Sequence, residues 1–177
     1  MVYGFLSYYN GELRIPNREL MEKYEMVLNR ESMGEVKQIV DQSKEMLEAT
    51  LSDDEKRVAQ MLEEVHNREI PFLQYNVENS LSCVITLCYL AARDEYLMER
   101  EAKSGKGYCD YLFLPKRPGR PAIILELKVD RSCKETIDQI KDKRYIEKVP
   151  AGHEIFLVGI NYSKKTKEHT CKIEVRK

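Results

Sequence analysis

The chain has 177 residues, enough for one domain, or one and a small appendage, with a sizeable core. Charged residues make up 33%, aromatics 8%, and Trp is absent; no apolar run approaches the roughly 20 residues that span a bilayer, and no basic segment followed by an apolar one opens the chain. This make-up excludes a membrane-spanning or signal-bearing class and predicts a soluble, cytoplasmic, helix-rich protein. Five cysteines, an odd number without a C-x-x-C pair, exclude a disulfide frame and a zinc cluster and read as reduced, packed thiols. The net charge of −1 hides an asymmetry. Residues 1–99 hold 10 Lys/Arg against 19 Asp/Glu, a balance of −9, and residues 100–177 hold 19 against 11, a balance of +8. A basic C-terminal half suits a binder of phosphate backbones; attraction between the two halves is the alternative.

In chain order, an apolar run at residues 2–9, the turn Asn10-Gly11 and the segment from Glu12 to Ile15 predict a short hairpin. Pro16-Asn17 starts a helix whose face carries Leu20, Met21, Tyr24, Val27 and Leu28. A further helix follows with Val36, Ile39, Val40 and Leu47 in register, then Ser52-Asp-Asp-Glu55 as a capping box for a third, with Val58, Met61, Leu62 and Val65 inward. Residues 17–67 thus read as a small helical unit without chemistry. His66, near the end of its helix, is expected at the surface or beside the helix C-terminus.

An almost wholly apolar helix begins at Asn76, with Glu78 in its first turn on the face of Leu81 and Ile85. Glu95–Ala102 predicts a strand closed by the Ser104-Gly-Lys-Gly107 turn. Asp110–Leu114 predicts a second and, after a Pro115–Gly119 turn, Ala122–Leu127 a third. Ser132 caps a helix expected to run to about Lys148, burying Ile137, Ile140 and Ile146. His153–Asn161 reads as a buried strand and Glu168–Val175 as an edge strand. Cys109 lacks any nearby His in sequence and is expected to face away from Asp110, against a nucleophilic role.

The third strand carries the chemistry. Side chains alternate faces, so Glu126 and Lys128 share one and Leu125 and Leu127 the other. A carboxylate and an ammonium at the end of an apolar strand are costly to desolvate unless they bind something. Asp110, fifteen residues, then Glu126-Leu-Lys128 is similar to the signature of the PD-(D/E)XK nuclease superfamily. Four ordered blocks make the likeness specific: Gly105-Lys-Gly-Tyr-Cys-Asp-Tyr-Leu-Phe, Pro121-Ala-Ile-Ile-Leu-Glu-Leu-Lys-Val, Asp138-Gln-Ile-Lys-Asp-Lys-Arg-Tyr145 and Phe156-Leu-Val-Gly-Ile-Asn161. They resemble the nuclease-like domain that follows a predicted AAA-ATPase-like domain in many bacterial proteins.

The resemblance implies an α/β fold: a restriction-endonuclease-like core, with a central mixed sheet flanked by helices in the order αβββαββ. It would occupy residues 70–177, after a mostly helical region at 1–69 that is a remnant or edge of the ATPase-like domain. There is no G-x-x-x-x-G-K-[ST] loop, so ATP is not bound by that motif. The implied activity is metal-dependent hydrolysis of phosphodiester bonds in DNA. Asp110, Glu126 and the carbonyl of Leu127 would hold Mg²⁺ or Mn²⁺, favoured over zinc by oxygen ligands without His or Cys. Lys128 would orient or help deprotonate the attacking water, or neutralise the phosphate. Glu78 would reach the metal site from the first core helix, and Gln139 would line it. Some members pair this Gln with a Tyr four residues on; here Lys143 holds that position, and the offset of Tyr145 is expected to turn it away from Gln139. The alternative is a non-catalytic module that binds nucleic acid or docks an ATPase-like partner. Homodimerisation is expected only by analogy with other members.

Overall fold

The computed structural model describes residues 7–9, 11–28, 31–69, 77–104, 107–142 and 145–176. Two compact units divide the chain, Met1–Asp41 and Gln42–Lys177. In the first, β1 (Ser7–Tyr9) and β2 (Glu12–Arg14) pair antiparallel around a turn in which Gly11 takes a φ of 85°. Helix α1 (Arg18–Leu28) follows, its N-terminus capped by Asn17, whose Oδ1 accepts the Leu20 N–H at 2.9 Å. Helix α2 (Glu31–Leu51) begins in this unit.

The second unit is a five-stranded sheet between two layers of helix. Its strands are β3 (Tyr96–Ser104), β4 (Gly107–Pro115), β5 (Ala122–Val129), β6 (Ile155–Tyr162) and β7 (His169–Arg176), in spatial order β3-β4-β5-β6-β7. All neighbours are antiparallel except β5 and β6, which run parallel. A parallel pair needs a crossover, and α5 (Cys133–Asp142) supplies it. With α4 (Val77–Cys88) before β3, the element order is the αβββαββ expected from the sequence, a mixed sheet consistent with a restriction-endonuclease-like fold.

One apolar layer joins the end of α2, α3 (Glu55–Glu69) and α4 to Tyr111, Phe113, Ile123, Leu125, Phe156 and Val158 of the sheet. The other joins Ile137 and Ile140 of α5, with Tyr145 and Val149, to Leu112, Ile124 and Leu157. Strand β5 is therefore covered on both faces, as its near-continuous apolar run requires. Gly159 of β6 lies directly under α5: a Cβ there would meet the Cys133 carbonyl at 3.0 Å and side-chain carbons of Thr136 and Ile137 at 3.2 Å. Its bareness lets the helix approach the sheet.

Local details depart from the sequence pattern. Ser52 does not cap α3; its hydroxyl turns back to the carbonyls of Glu48 and Ala49, ending α2. Asp53 takes a φ of 61° in the turn, and Asp54 caps α3 through the Arg57 N–H at 3.0 Å. This leaves the Glu55 carboxylate to accept the Ile173 N–H (2.9 Å) and the Lys172 ammonium (2.7 Å), tying α3 to the edge strand β7. The reciprocal box forms instead at Ser132 and Glu135, where α5 begins. Helix α5 ends at Asp142 rather than near Lys148, and a single 3-10 turn follows at Tyr145–Lys148. His66 is also not at the surface: it is buried, with Nδ1 3.0 Å from Nε2 of buried His169 on β7. Among the described residues, no helix is long and apolar enough to cross a membrane.

Candidate active site

The β4–β5 ladder pairs Phe113 with Ile123, Leu112 with Ile124 and Tyr111 with Leu125. One step further in this register Asp110 stands opposite Glu126, where the ladder ends and side chains take over the backbone donors. The Leu127 N–H donates to Asp110 Oδ2 at 2.7 Å, and the Asp110 N–H donates to Glu126 Oε2 at 3.3 Å. Each carboxylate thus stands in for a missing ladder carbonyl, and the exchange fixes both at the same strand ends.

Glu126 continues the face of Ile124, towards α5, and is only 2% exposed. Its Oε1 accepts the Lys128 ammonium at 2.9 Å and the side-chain amide of Gln139, which descends from α5. Burial first, and the Asp110 carboxylate second, push the Glu126 carboxyl above the usual range; the Lys128 ion pair and the Asp110 N–H pull it back. Because β6 is the parallel neighbour and Gly159 sits beside Glu126 in register, the close approach of α5 described above also brings Gln139 within reach.

Tyr145 corrects the expectation that its offset turns it away. The α-helix stops three residues earlier, so helical spacing does not apply, and the buried phenol hydrogen-bonds with the Gln139 side chain. Burial and then the Glu126 charge push its hydroxyl up to about 12, so it remains a neutral phenol. Lys143 lies outside the described residues, and Glu78 is described only as backbone in the first turn of α4. Cys109 is fully buried in the α5-side layer, its thiol pushed up to about 12 by burial and then by Glu126, so it is no thiolate.

The end of β5 is a ridge between two clefts. On the α4 side, a cleft of about 280 Å³ is lined by Ser82, Arg100, Glu101, Asp110 and Lys128, among others. On the α5 side, one of about 570 Å³ is lined by Lys128, Val129, Arg131, Glu135 and Gln139. Nothing in the sequence marks Arg100 beyond one signal: it follows Met98 by two residues on β3, and Met98 packs inward, so a cation occupies an inward register near a strand end. Its guanidinium donates to Ser82 Oγ at 2.7 Å and lies 5.7 Å from the centre of the Tyr111 ring. The Tyr111 hydroxyl in turn donates to the Ser82 carbonyl at 2.6 Å and lies 2.9 Å from Thr86 Oγ1. Opposite Asp110 in the β3–β4 register, Glu101 takes a φ of 49°, a conformation uncommon outside glycine.

Among the described residues no group of three or more His, Cys, Asp or Glu converges as a ready metal cage. The donor chemistry that is present nonetheless fits a hard divalent cation: two carboxylates and a backbone carbonyl, with one ammonium against two acids and the buried acid pushed upward by burial and by the neighbouring Asp110 charge. Comparison with curated proteins finds no match. The family model of the PD-(D/E)XK nucleases matches residues 76–171, which span the described αβββαββ core from α4 into β7 and include Asp110, Glu126 and Lys128. Members of that family generally use divalent metal ions, and a nuclease-like fold implies contact with nucleic acid. By this match, and with a fold that agrees with it, the chain belongs to the PD-(D/E)XK nuclease superfamily.

Proposed function

We propose that the protein hydrolyses phosphodiester bonds in DNA with the help of Mg²⁺ or Mn²⁺. The observation that carries this reading is the meeting of Asp110 and Glu126 at the end of the β4–β5 ladder, with the Lys128 ammonium 2.9 Å from Glu126. Asp110, Glu126 and the Leu127 carbonyl would hold the cation. When bound, the cation supplies charge against the phosphate oxygens and a more acidic water. Lys128 orients the attacking water and neutralises charge on the phosphate. Gln139, held by Tyr145, fixes Glu126 so that the carboxylate need not reorganise during the reaction.

The test is cleavage of DNA substrates with Mg²⁺ or Mn²⁺ by the wild type, Asp110→Asn and Glu126→Gln. Each substitution is expected to lower cleavage by about a hundredfold or more while circular dichroism is unchanged. Equal cleavage by all three would overturn the assignment. A second reading, docking of an ATPase-like partner without catalysis, is favoured by one observation in the first unit: Met21, Met26, Val27 and Val36 are 43% to 67% exposed. It predicts partner capture that survives chelation of divalent ions.

A further inference from the structure

The two clefts flanking β5 hold one guanidinium each. Arg100 lies in the α4-side cleft with Asp110, and Arg131 in the α5-side cleft with Gln139, while Lys128 borders both. Neither arginine makes an ion pair among the described residues, although a carboxylate shares each cleft. Glu135 is occupied at the start of α5, where it accepts the Ser132 N–H at 3.2 Å, and Glu101, the next residue on β3, lines the cleft of Arg100 without pairing to it. Arg100 is anchored through its guanidinium and Arg131 through its backbone. Arg100 is held by Ser82 and by the face of Tyr111. The backbone N–H of Arg131 donates to Asn161 Oδ1 at 2.8 Å, and the neighbouring Asp130 carboxylate accepts the Lys164 N–H at 2.8 Å, which fastens this loop to the β6–β7 turn. A guanidinium with open donors, carried on a fixed segment of backbone, is suited to a phosphate, which it can bind through two parallel hydrogen bonds.

We propose that Arg100 and Arg131 bind the phosphates on either side of the one presented to Asp110 and Glu126, so that a polynucleotide strand crosses the end of β5 from the α4 side to the α5 side. The inference rests on the nuclease reading and adds to it a direction for the strand and two contacts that carry no sequence information. Ser82 and Tyr111 act through Arg100 as positioning residues.

The experiment is fluorescence anisotropy of labelled DNA oligonucleotides, single- and double-stranded, with the full chain in EDTA across a salt series, alongside a cleavage assay with Mg²⁺ or Mn²⁺. Arg100→Gln and Arg131→Gln are each expected to weaken binding and to reduce the slope of log affinity against log salt by about one, and the double variant by about two. Arg117→Gln, in the β4–β5 turn at the opposite end of the sheet, serves as the control and is expected to leave the slope unchanged. Both arginines under test are exposed, and thermal unfolding verifies that the variants fold. An unchanged slope in either test variant, or an equal loss in the control, overturns the proposal, and wild-type cleavage in that case leaves the nuclease reading standing. The expected slopes without any cleavage would support the strand path and overturn the catalytic reading. A wild type that neither binds nor cleaves DNA would overturn both.

Discussion

Glu126 concentrates the energetic cost of the site in one side chain. It is a nearly fully buried carboxylate beside another acid, and the Lys128 ammonium, the Gln139 amide and the Asp110 N–H compensate it only in part, since its carboxyl remains above the ordinary range. A divalent cation that binds the folded state and not the unfolded chain should therefore stabilise the protein. At a hundredfold excess over its dissociation constant the gain is about 2.7 kcal/mol, which raises Tm by roughly 5–10 °C for a chain of this size. Differential scanning fluorimetry with Mn²⁺ is expected to show this rise in the wild type and its loss in an Asp110→Asn/Glu126→Gln variant. An equal rise in both would move the ion elsewhere. At this scale the shared strand face of Glu126 and Lys128 is readable from period-two alternation, whereas Asp110 is singled out only by its likeness to the nuclease signature: Leu112, two residues on, packs on the α5 side while Asp110 lines the α4-side cleft. Tyr145 is not, because its approach to Gln139 depends on where α5 stops, and helical spacing carries no information past that point.

At the scale of elements, the site depends on the distance between α5 and β6, and Gly159 sets that distance. Gly159→Ala must displace the Cys133 carbonyl or the helix that starts there, because a Cβ at 3.0 Å from backbone oxygen cannot be absorbed by a side-chain rotation. A loss of about 1–3 kcal/mol in stability is expected, read by urea unfolding, with a fall in cleavage larger than that of a surface variant of matched stability because Gln139 is carried away from Glu126. Full activity in a folded Gly159→Ala protein would show that the contact is dispensable. The order of strands and helices is readable from hydrophobic period and turn residues, whereas the caps are less so. Ser52 and Glu55 have the right spacing for a capping box, yet the Lys172 ammonium and the Ile173 N–H of β7 take the Glu55 carboxylate. Long-range partners of this kind leave no local trace in sequence.

In the whole Gln42–Lys177 unit, the sheet and its helices are joined at a second polar contact remote in sequence from the active-site motif. His66 on α3 and His169 on β7 share a hydrogen bond beneath the ring of Tyr162, whose centre lies within 5 Å of each imidazole centre. Burial, and then the proximity of His66, lower His169 to about 4, while an unfolded His titrates near 6.5. The folded state therefore favours the neutral ring. Stability from this source is complete above about 6.5 and is lost as the pH falls towards 4, since only the unfolded chain takes up the proton. Between pH 7 and 4.5 the wild type is expected to lose about 2–3 kcal/mol more than His169→Gln in urea unfolding. Equal losses would mean that the pair does not govern acid sensitivity. The sequence places His66 near a helix end and could not reveal its partner 103 residues away.

The single parallel pairing in the sheet also orders events in time. β5 pairs with β4 across a short turn, so the two segments that carry Asp110 and Glu126 are made one soon after the other. The other edge of β5 is covered only by β6, whose partner residues begin at Ile155, after α5 has been made. Until then the nascent protein carries both acids but neither the helix that clamps Glu126 nor the loop that joins Arg131 to Asn161. On the nuclease reading proposed above, the site is complete only once α5 and β6 have been made and the sheet is closed.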